Sequence, residues 1–326
     1  EPVYPRWWWW GWREPGGSRS QTVAGGRAKI DADGAFAVEF TPSADERKDA
    51  ALSGLSYRYT LTADVTDEGG ETRSASRSFR LGFVSVEARA ASDSEFLSAD
   101  AKGKFTVVRT DLNGTPKAGK GSWRVVKLVQ PEKALLPADQ PLPVSAGSDD
   151  RLYPPTPGDL LRARWETVDP ATVVRLWKEG AEAAKGTADH DDKGVAAIAV
   201  PALGAGAYRL LYETKDDFGA TAKDSLDFLV AGKAKPAFKL PLLLRAEKAA
   251  VPVGGKARLL LDSGWSGQPV LFETFKGGAL WERRWIEAGK DGGVLEIPVA
   301  EDMRGGFGVR LTAVRAHQLM SEEALV

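Results

Sequence analysis

The sequence predicts an all-β protein built from tandem immunoglobulin- or fibronectin-like antiparallel β-sandwiches. Three observations predict this class: turns of the D-x-x-G type recur, each adjoins a segment that alternates apolar and polar residues, and these parts repeat in a similar order. Glycine supplies the positive φ that tight hairpin turns require, and a period of two is typical of strands. At 326 residues, the chain is long enough for two or three such domains.

The first repeated part is a turn followed by alternation. It occurs in "IDADGAFAVEF", "DDKGVAAIAVP" and "GKDGGVLEIPV". In the first copy, a turn at residues 31–34 precedes Phe36, Val38 and Phe40, which would share one face of a strand. We interpret all three copies as β-hairpins.

The second part has an aromatic-led strand before its turn. "YTLTADVTDEGGETR" and "YRLLYETKDDFGATA" share Y-x-L, five residues, and then D-x-x-G-x-T, while "FGVRLTAVRA" resembles a third copy with Phe307 at the aromatic position. In the first copy Tyr59, Leu61 and Val65 alternate with polar residues. Such a strand has one buried and one solvated face, as in an antiparallel sheet.

The third part is a strand that ends in a G-x-P turn, in "FTVVRTDLNGTP" and "RLLLDSGWSGQP". We place a domain boundary at each point where the series of three repeated parts begins again. The prediction is a sandwich over residues 1–83 that lacks its opening strands and carries a Trp-rich hairpin, a second over 84–232, and a third over 233–326. The second includes a proline-rich insertion at about residues 131–170, which we expect to be an irregular surface loop with a short helix or strand near residues 160–168.

The composition and net charge exclude several classes of partner and site. The net charge is −1, with no basic stripe, so nucleic acid is not expected as a partner. The longest apolar runs, such as "FKLPLLL", are shorter than a membrane span, and the absence of cysteine excludes disulfides and thiolate zinc sites. Because the chain opens on Glu1 in the middle of a pattern, we expect a piece of a larger protein whose targeting signal lies elsewhere.

The residues offer little for catalysis, and we expect no enzyme and no cofactor. His190 and His317 have no neighbours that suggest a catalytic triad, and we expect both on the surface. The "DADG" at Asp31 begins like a calcium loop but lacks the later ligands of one. Acidic residues flanking the next turn are either solvated turn formers or a looser metal site between domains; these residues are Asp64, Asp67 and Glu71.

The stretch "YPRWWWWGWREPGG" holds five tryptophans: Trp7, Trp8, Trp9, Trp10 and Trp12. In an extended segment, alternate side chains point to opposite faces, so one pair can join a core while the other covers a neighbouring domain. An exposed aromatic row can instead stack on sugar rings or bind a protein. We interpret the stretch as an interdomain or partner contact and keep the carbohydrate site as the alternative.

Several segments resemble bacterial alpha-2-macroglobulins. "YRYTLTADVTDEGGETRSASRSFRLGF" is similar to the closing segment of a macroglobulin domain, and "YPRWWWWGWREPG" to a Trp-rich hairpin of that domain. "DLNGTPKAGKGSWRVVKL" with "GAYRLLYETKDDFGATAKDSLDFLV" resembles the next domain, and "LLLDSGWSGQPVLFETF" with "EDMRGGFGVRLTAVR" a third. The resemblance spans nearly the whole chain.

The resemblance implies macroglobulin-type sandwiches in the scaffold of a broad-spectrum protease inhibitor, exported to the periplasm or cell surface. Such inhibitors trap a protease by collapsing around it after bait cleavage, and many then acylate it through a C-x-E-Q thioester. This chain has no cysteine, hence no thioester, and no bait segment that we can identify. The expected partners are other domains of the parent chain and, through the full-length protein, target proteases. The alternative is a cell-surface adhesin or carbohydrate-binding array that uses the Trp-rich loop.

Overall fold

A computed structural model describes residues 2–3, 20–43, 55–67, 69–140, 165, 167–232 and 237–326. The fold is all-β, as predicted, with strands arranged in several sheets that are antiparallel apart from one parallel pair, Phe96–Ser98 with Thr221–Ala231. Among the described residues, no helix is long and apolar enough to span a membrane. The domain boundaries at residues 83 and 232 stay predictions.

The first sheet is dominated by one long hairpin. It pairs β1 (Pro2–Val3), β2 (Ser56–Thr66) and β3 (Thr72–Gly82) in that order. Tyr57 at the base of the hairpin is buried, but Leu61 and Val65 farther along the predicted apolar face are exposed. Phe40 lies 6.0 Å from Tyr59 between ring centroids and thereby covers part of this face.

The second sandwich packs a three-stranded sheet against a five-stranded one. The smaller sheet has the order β4-β6-β9, and the larger one β5-β11-β10-β7-β8. A helix, α1 (Pro170–Arg175), precedes β8 and follows the insertion. The strands are β4 (Val86–Ser92), β5 (Phe96–Ser98), β6 (Gly103–Asp111), β7 (Gly119–Val129), β8 (Lys178–His190), β9 (Val195–Val200), β10 (Gly206–Lys215) and β11 (Thr221–Ala231).

The third sandwich packs the sheet β12-β13-β16 against the sheet β15-β14-β17-β18. A short helix, α2 (Ala288–Asp291), connects the two sheets between β15 and β16. The strands are β12 (Leu243–Ala246), β13 (Lys256–Asp262), β14 (Pro269–Lys276), β15 (Ala279–Glu287), β16 (Gly293–Pro298), β17 (Phe307–Arg315) and β18 (Gln318–Leu325).

The alternating pattern predicts the buried face of β9 correctly, at Ala196, Ile198 and Val200, whereas Phe36 and Val38 are exposed. In the second sandwich Phe105, Leu210 and Tyr212 are buried among side chains from both sheets. In the third, Leu259 and Phe272 hold the equivalent place. Alternate residues along these strands point to the core.

Two of the three hairpins predicted from a turn followed by alternation are wrong, and the third forms only its turn. At "DDKG", β8 pairs with β7 and β9 with β6, so the turn crosses from one sheet to the other. At "GKDGG", α2 forms instead and again connects different sheets. At Asp31 the turn forms, but the residues around it pair with no described strand. Local turn chemistry is the same in a hairpin and in a sheet-to-sheet connection, so the sequence could not distinguish them.

The aromatic-led hairpins are confirmed. β2 pairs with β3, β10 with β11, and β17 with β18, each antiparallel and in continuous register. The third copy has the altered turn that its sequence suggests, with Ala316 and His317 both at positive φ. Consecutive positive φ values are typical of the tight two-residue hairpin turn.

Candidate functional site

The strongest candidate for a functional feature is the contact between the second and third sandwiches, which we call the apolar joint. A single buried cluster crosses from one sandwich to the other. The second sandwich contributes side chains from β5, β7, β10, β11 and α1, and the third contributes the segment before β12 and parts of β12 and β13. Its members are Phe96, Leu128, Val173, Val174, Trp177, Ala207, Leu229, Ala231, Phe238, Leu240, Leu243 and Leu260.

The segment "FKLPLLL" explains how the third sandwich takes part in two cores. Phe238, Leu240 and Leu243 belong to the apolar joint, while Leu242 and Leu244 face the third sandwich's own core. A segment buried on both sides must be apolar at nearly every position rather than alternately. The nearly continuous apolar run is therefore a sequence signal for this joint, although its length alone indicates only that it is too short to span a membrane.

Polar side chains form hydrogen bonds to backbone groups at the apolar joint. Gln130, just past β7, donates from Nε2 to the Ala237 carbonyl at 3.1 Å and accepts from the Lys239 amide at 2.8 Å. Asp262 at the end of β13 accepts from the amides of Ala237 and Phe238 at 2.8 and 3.0 Å. The Gln130 bonds join the two sandwiches, while the Asp262 bonds hold the start of the third sandwich in place against β13, so that backbone groups at the joint are satisfied.

The described ends of the insertion are part of the joint rather than a free surface loop. Trp265 of the third sandwich donates from Nε1 to the Ala134 carbonyl at 3.2 Å, and the Ala138 amide donates to Gln318 Oε1 at 2.9 Å. Ala134 lies so close to Gly264 that a Cβ there would come within 2.6 Å of its side chain. Residues 131–140 are irregular and partly exposed, as expected, but they also pack on the third sandwich; residues 141–164 and 166 lie outside the described part.

A group of charged side chains lies beside the apolar cluster, with Glu322 and Arg245 partly buried and Asp169 exposed. Asp169 caps α1 by accepting from the Ala171 amide at 3.0 Å, and the same oxygen accepts from Arg245 Nη2 at 2.9 Å. Arg245 also pairs with Glu322 on β18 at 3.2 Å. Burial raises the pKa of Glu322 to about 7; Arg245 lowers it and Asp169 raises it. The loss of hydration on burial outweighs the attraction of the arginine.

A second joint, between the long hairpin and the second sandwich, is mainly polar; we call it the polar joint. Arg80 on β3 donates to the Leu112 carbonyl at 3.2 Å, and its amide donates to Asn113 Oδ1 at 2.8 Å. The Ser85 amide and hydroxyl both donate to Asp216 Oδ2, at 2.9 and 3.0 Å. The apolar part is small, with Val84, Val86 and Ala222 buried.

Asp216 also builds its own turn, which explains its place in the D-x-x-G pattern. Its Oδ1 accepts from the amides of Phe218 and Ala220 at 3.0 and 2.8 Å, while Gly219 takes a φ of 84°. Burial by itself would raise the pKa of Asp216, but hydrogen bonds from Ser85, Ala220 and Phe218 outweigh it and hold the pKa below its ordinary value.

The same geometry accounts for the other D-x-x-G turns, including the one that resembles a calcium loop. Asp31 Oδ1 accepts from the amides two and four residues later, at 3.0 and 2.7 Å. Asp67 and Asp191 each accept from the amide four residues later in the same way. Within the described part of the chain, no cluster of three acidic or histidine side chains is arranged to hold a metal ion.

The two histidines, His190 and His317, differ in their exposure to solvent. His317 lies at the exposed tip of the β17–β18 hairpin, as expected. His190 is buried, so the expectation of a surface position is wrong. Its Nδ1 lies 2.8 Å from the Gly194 carbonyl, which can only accept, and its Nε2 lies 2.5 Å from the Tyr212 hydroxyl. Through these two contacts His190 ties the turn to the core.

The predicted contact residues of the Trp-rich stretch lie outside the described residues, and their role stays a prediction. They are Trp7, Trp8, Trp9, Trp10 and Trp12.

Comparisons with known proteins give structural likenesses only. No family model matches the sequence, and no curated protein sequence matches it. The native Escherichia coli alpha-2-macroglobulin is similar over 83% of this chain and 17% of its own, at 13% identity and a TM-score of 0.28. A tetra-tandem repeat from the extending region of a large adhesion protein is similar over 92% of this chain and 61% of its own, at 14% identity and a TM-score of 0.27.

A third solved structure, Salmonella alpha-2-macroglobulin reacted with methylamine, covers 83% of this chain and 16% of its own, at 14% identity and a TM-score of 0.26. The chain thus spans about a sixth of the two macroglobulins that it resembles. At these TM-scores the likenesses carry no argument about function.

Proposed function

We propose that the chain is a non-catalytic frame within a larger exported protein, of the alpha-2-macroglobulin type that traps proteases. The observation that carries this proposal is the apolar joint. Two sandwiches that share a buried core of 12 side chains behave as one rigid body, whereas domains linked by small polar contacts move independently. A frame that must reposition as a unit when a protease cuts elsewhere requires such a joint.

The sequence resemblance supports the specific class, since it covers segments in all three predicted sandwiches. In this function the partners are other domains of the parent chain and the trapped proteases, and the location is the periplasm or cell surface. The frame itself takes no cofactor and performs no chemistry.

The test uses the full-length protein that contains this chain. After incubation with a broad-specificity protease, a trap leaves activity on a small chromogenic peptide but removes activity on a large protein substrate. We expect Phe238→Ala, which opens the apolar joint, to weaken this discrimination. The matched control is Phe218→Ala, since Phe218 is 88% exposed at the tip of a hairpin. Equal cleavage of large substrates with and without the full-length protein would remove the trapping function.

The alternative, a carbohydrate-binding or adhesin array, is favoured by one described feature. Trp281 and Trp285 on β15 are exposed, and Trp285 is 69% accessible. Aromatic rings on an open sheet can stack on sugar rings. Calorimetric titration with xylohexaose, compared between the wild type and Trp285→Ala, tests this alternative; a heat signal that the variant lacks would support it.

A further inference from the structure

We propose that the outer face of the sheet β15-β14-β17-β18 is a homodimer interface, which packs on the same face of a second copy of this chain. The two copies are related by a two-fold axis that lies between the sheets and runs parallel to the strands. Three features of this face carry the inference. They are exposed apolar side chains, a row of charges of alternating sign, and positions where a large side chain of one copy would face a small residue of the other.

The register of the strands defines which side chains form the outer face. Phe272, Leu311 and Met320 point inward to the core of the third sandwich. Their neighbours along each strand therefore point outward. Several of these are large and apolar yet exposed, including Leu280 at 44%, Trp285 at 69% and Leu325 at 76%. Large apolar side chains that are exposed together on one face of a folded protein often mark an interaction surface.

A row of charges of alternating sign crosses the middle of the face. In register across the four strands lie Arg283, Glu273, Arg310 and Glu323. Arg283 pairs with Glu273 at 2.7 Å, and Arg310 with Glu323 at 2.5 Å. Glu273 is buried beneath its neighbours, whereas the two ends of the row are more than half exposed. The row therefore ends in an accessible positive charge on one edge and an accessible negative charge on the other.

Only one of the two in-plane two-fold axes makes this row complementary to itself. An axis parallel to the strands places β15 over β18 of the second copy and β14 over its β17. Arg283 then faces Glu323 of the second copy, and the pair forms twice because the interface is isologous. An axis perpendicular to the strands would place each charge over its own equivalent, and like charges repel.

The same axis places Phe275 and Trp285 against small residues and Leu280 against another leucine. Phe275 lies in register with Leu280, Gly308 and Leu325 across the sheet. In the dimer Phe275 lies over Gly308 of the second copy, and Leu280 lies over Leu325. On the other side of the charge row, Trp285 lies over Ser321. Sheets that pack face to face at about 10 Å need such interdigitation of large and small side chains.

The size of the face predicts a weak, reversible dimer. Four strands about 4.8 Å apart and about eight residues long present roughly 500 Å² per copy. The total, about 1,000 Å², lies at the lower limit for a specific interface. A dissociation constant of about 10–100 µM is consistent with this area and with the exposed charges.

The test is sedimentation velocity of the 326-residue chain from about 1 to 500 µM in 50 mM NaCl, a range chosen to bracket that constant. We expect Leu280→Glu and Leu325→Lys, each alone, to weaken dimerisation by about tenfold or more, because each places a charge against an apolar side chain. The double variant L280E/L325K should regain most of the affinity, since the introduced carboxylate then faces the introduced ammonium group of the second copy. Within one chain these positions lie on strands that are not neighbours, so rescue requires the proposed axis.

The matched control is Phe218→Glu, the same kind of change at an exposed aromatic outside this face, which should leave the dissociation constant unchanged. A chain that stays monomeric at 500 µM would overturn the proposal, as would a dimer insensitive to both single variants. A monomer with a Trp285-dependent heat of xylohexaose binding would also overturn it and assign the face to a sugar.

Discussion

The apolar joint and the polar joint connect neighbouring units of the same chain by different means. The apolar joint buries 12 side chains in one cluster, while the described apolar cluster at the polar joint has three buried members, Val84, Val86 and Ala222, beside the hydrogen bonds of Arg80 and Asp216. Burial of apolar area contributes about 25 cal/mol per Å², whereas a hydrogen bond contributes about 1 kcal/mol net. Among the described residues, the second and third sandwiches therefore share a larger buried apolar cluster than the hairpin and the second sandwich do.

The largest expected effect is at the apolar joint. Phe238→Ala removes a fully buried ring between two sandwiches, and we expect the free energy of unfolding to fall by about 3–5 kcal/mol. Guanidinium unfolding followed by tryptophan fluorescence measures it, with Phe218→Ala as the exposed control. A loss below about 1 kcal/mol would mean that the joint is not a continuous core, and the contrast between the joints would fail.

The second effect is a pH dependence of the apolar joint. Glu322 stays protonated in the folded protein up to about pH 7 but ionises near pH 4.5 when unfolded. The unfolded state therefore binds fewer protons in this window, and stability should fall as pH rises from about 4.5 to 7, by about 3 kcal/mol at most. Above pH 7 this contribution should be constant.

Glu322→Gln removes this titration and should flatten the curve. The variant and the wild type should be similarly stable near pH 4.5, with the variant more stable at pH 8. The control is Glu213→Gln on β10, whose side chain is about half exposed and pairs with Lys223. Identical pH profiles for the wild type and Glu322→Gln would show that Arg245 keeps Glu322 ionised throughout.

The smallest effect sharpens the description of the polar joint. Asp216→Ala removes both the turn bonds and the two bonds from Ser85, while Asp191→Ala removes an equivalent pair of turn bonds and no bond to Ser85. We expect Asp216→Ala to cost about 1–2 kcal/mol more than Asp191→Ala in thermal unfolding. Equal costs would mean that the polar joint contributes nothing beyond the turn.

The fold class followed from local patterns because those patterns are caused locally. The alternation at Tyr57 and Tyr59 reflects the two faces of a strand. The Asp and Gly of each D-x-x-G turn reflect the positive φ that a tight turn requires. The sheet to which a strand belongs is set by partners distant in sequence. For that reason the connections at "DDKG" and "GKDGG" were predicted as hairpins and are crossings between sheets.

The residues of the candidate site show the same difference between local causes and partners distant in sequence. His190 reads as a surface residue because its neighbours are acidic, yet the turn folds it onto Tyr212. Gln130 and Asp262 carry no motif at all, since their partners are backbone groups that meet only after both sandwiches have formed.

By itself the sequence determined the all-β class, the inward faces of most strands and the positions of the Asp-x-x-Gly turns, because these depend on side-chain period and on φ within a few residues. Only the tertiary structure decided how the sandwiches are joined. Phe96 and Phe238 meet in one core although 142 positions separate them in the numbering, and no local pattern encodes which distant apolar surfaces exclude water together.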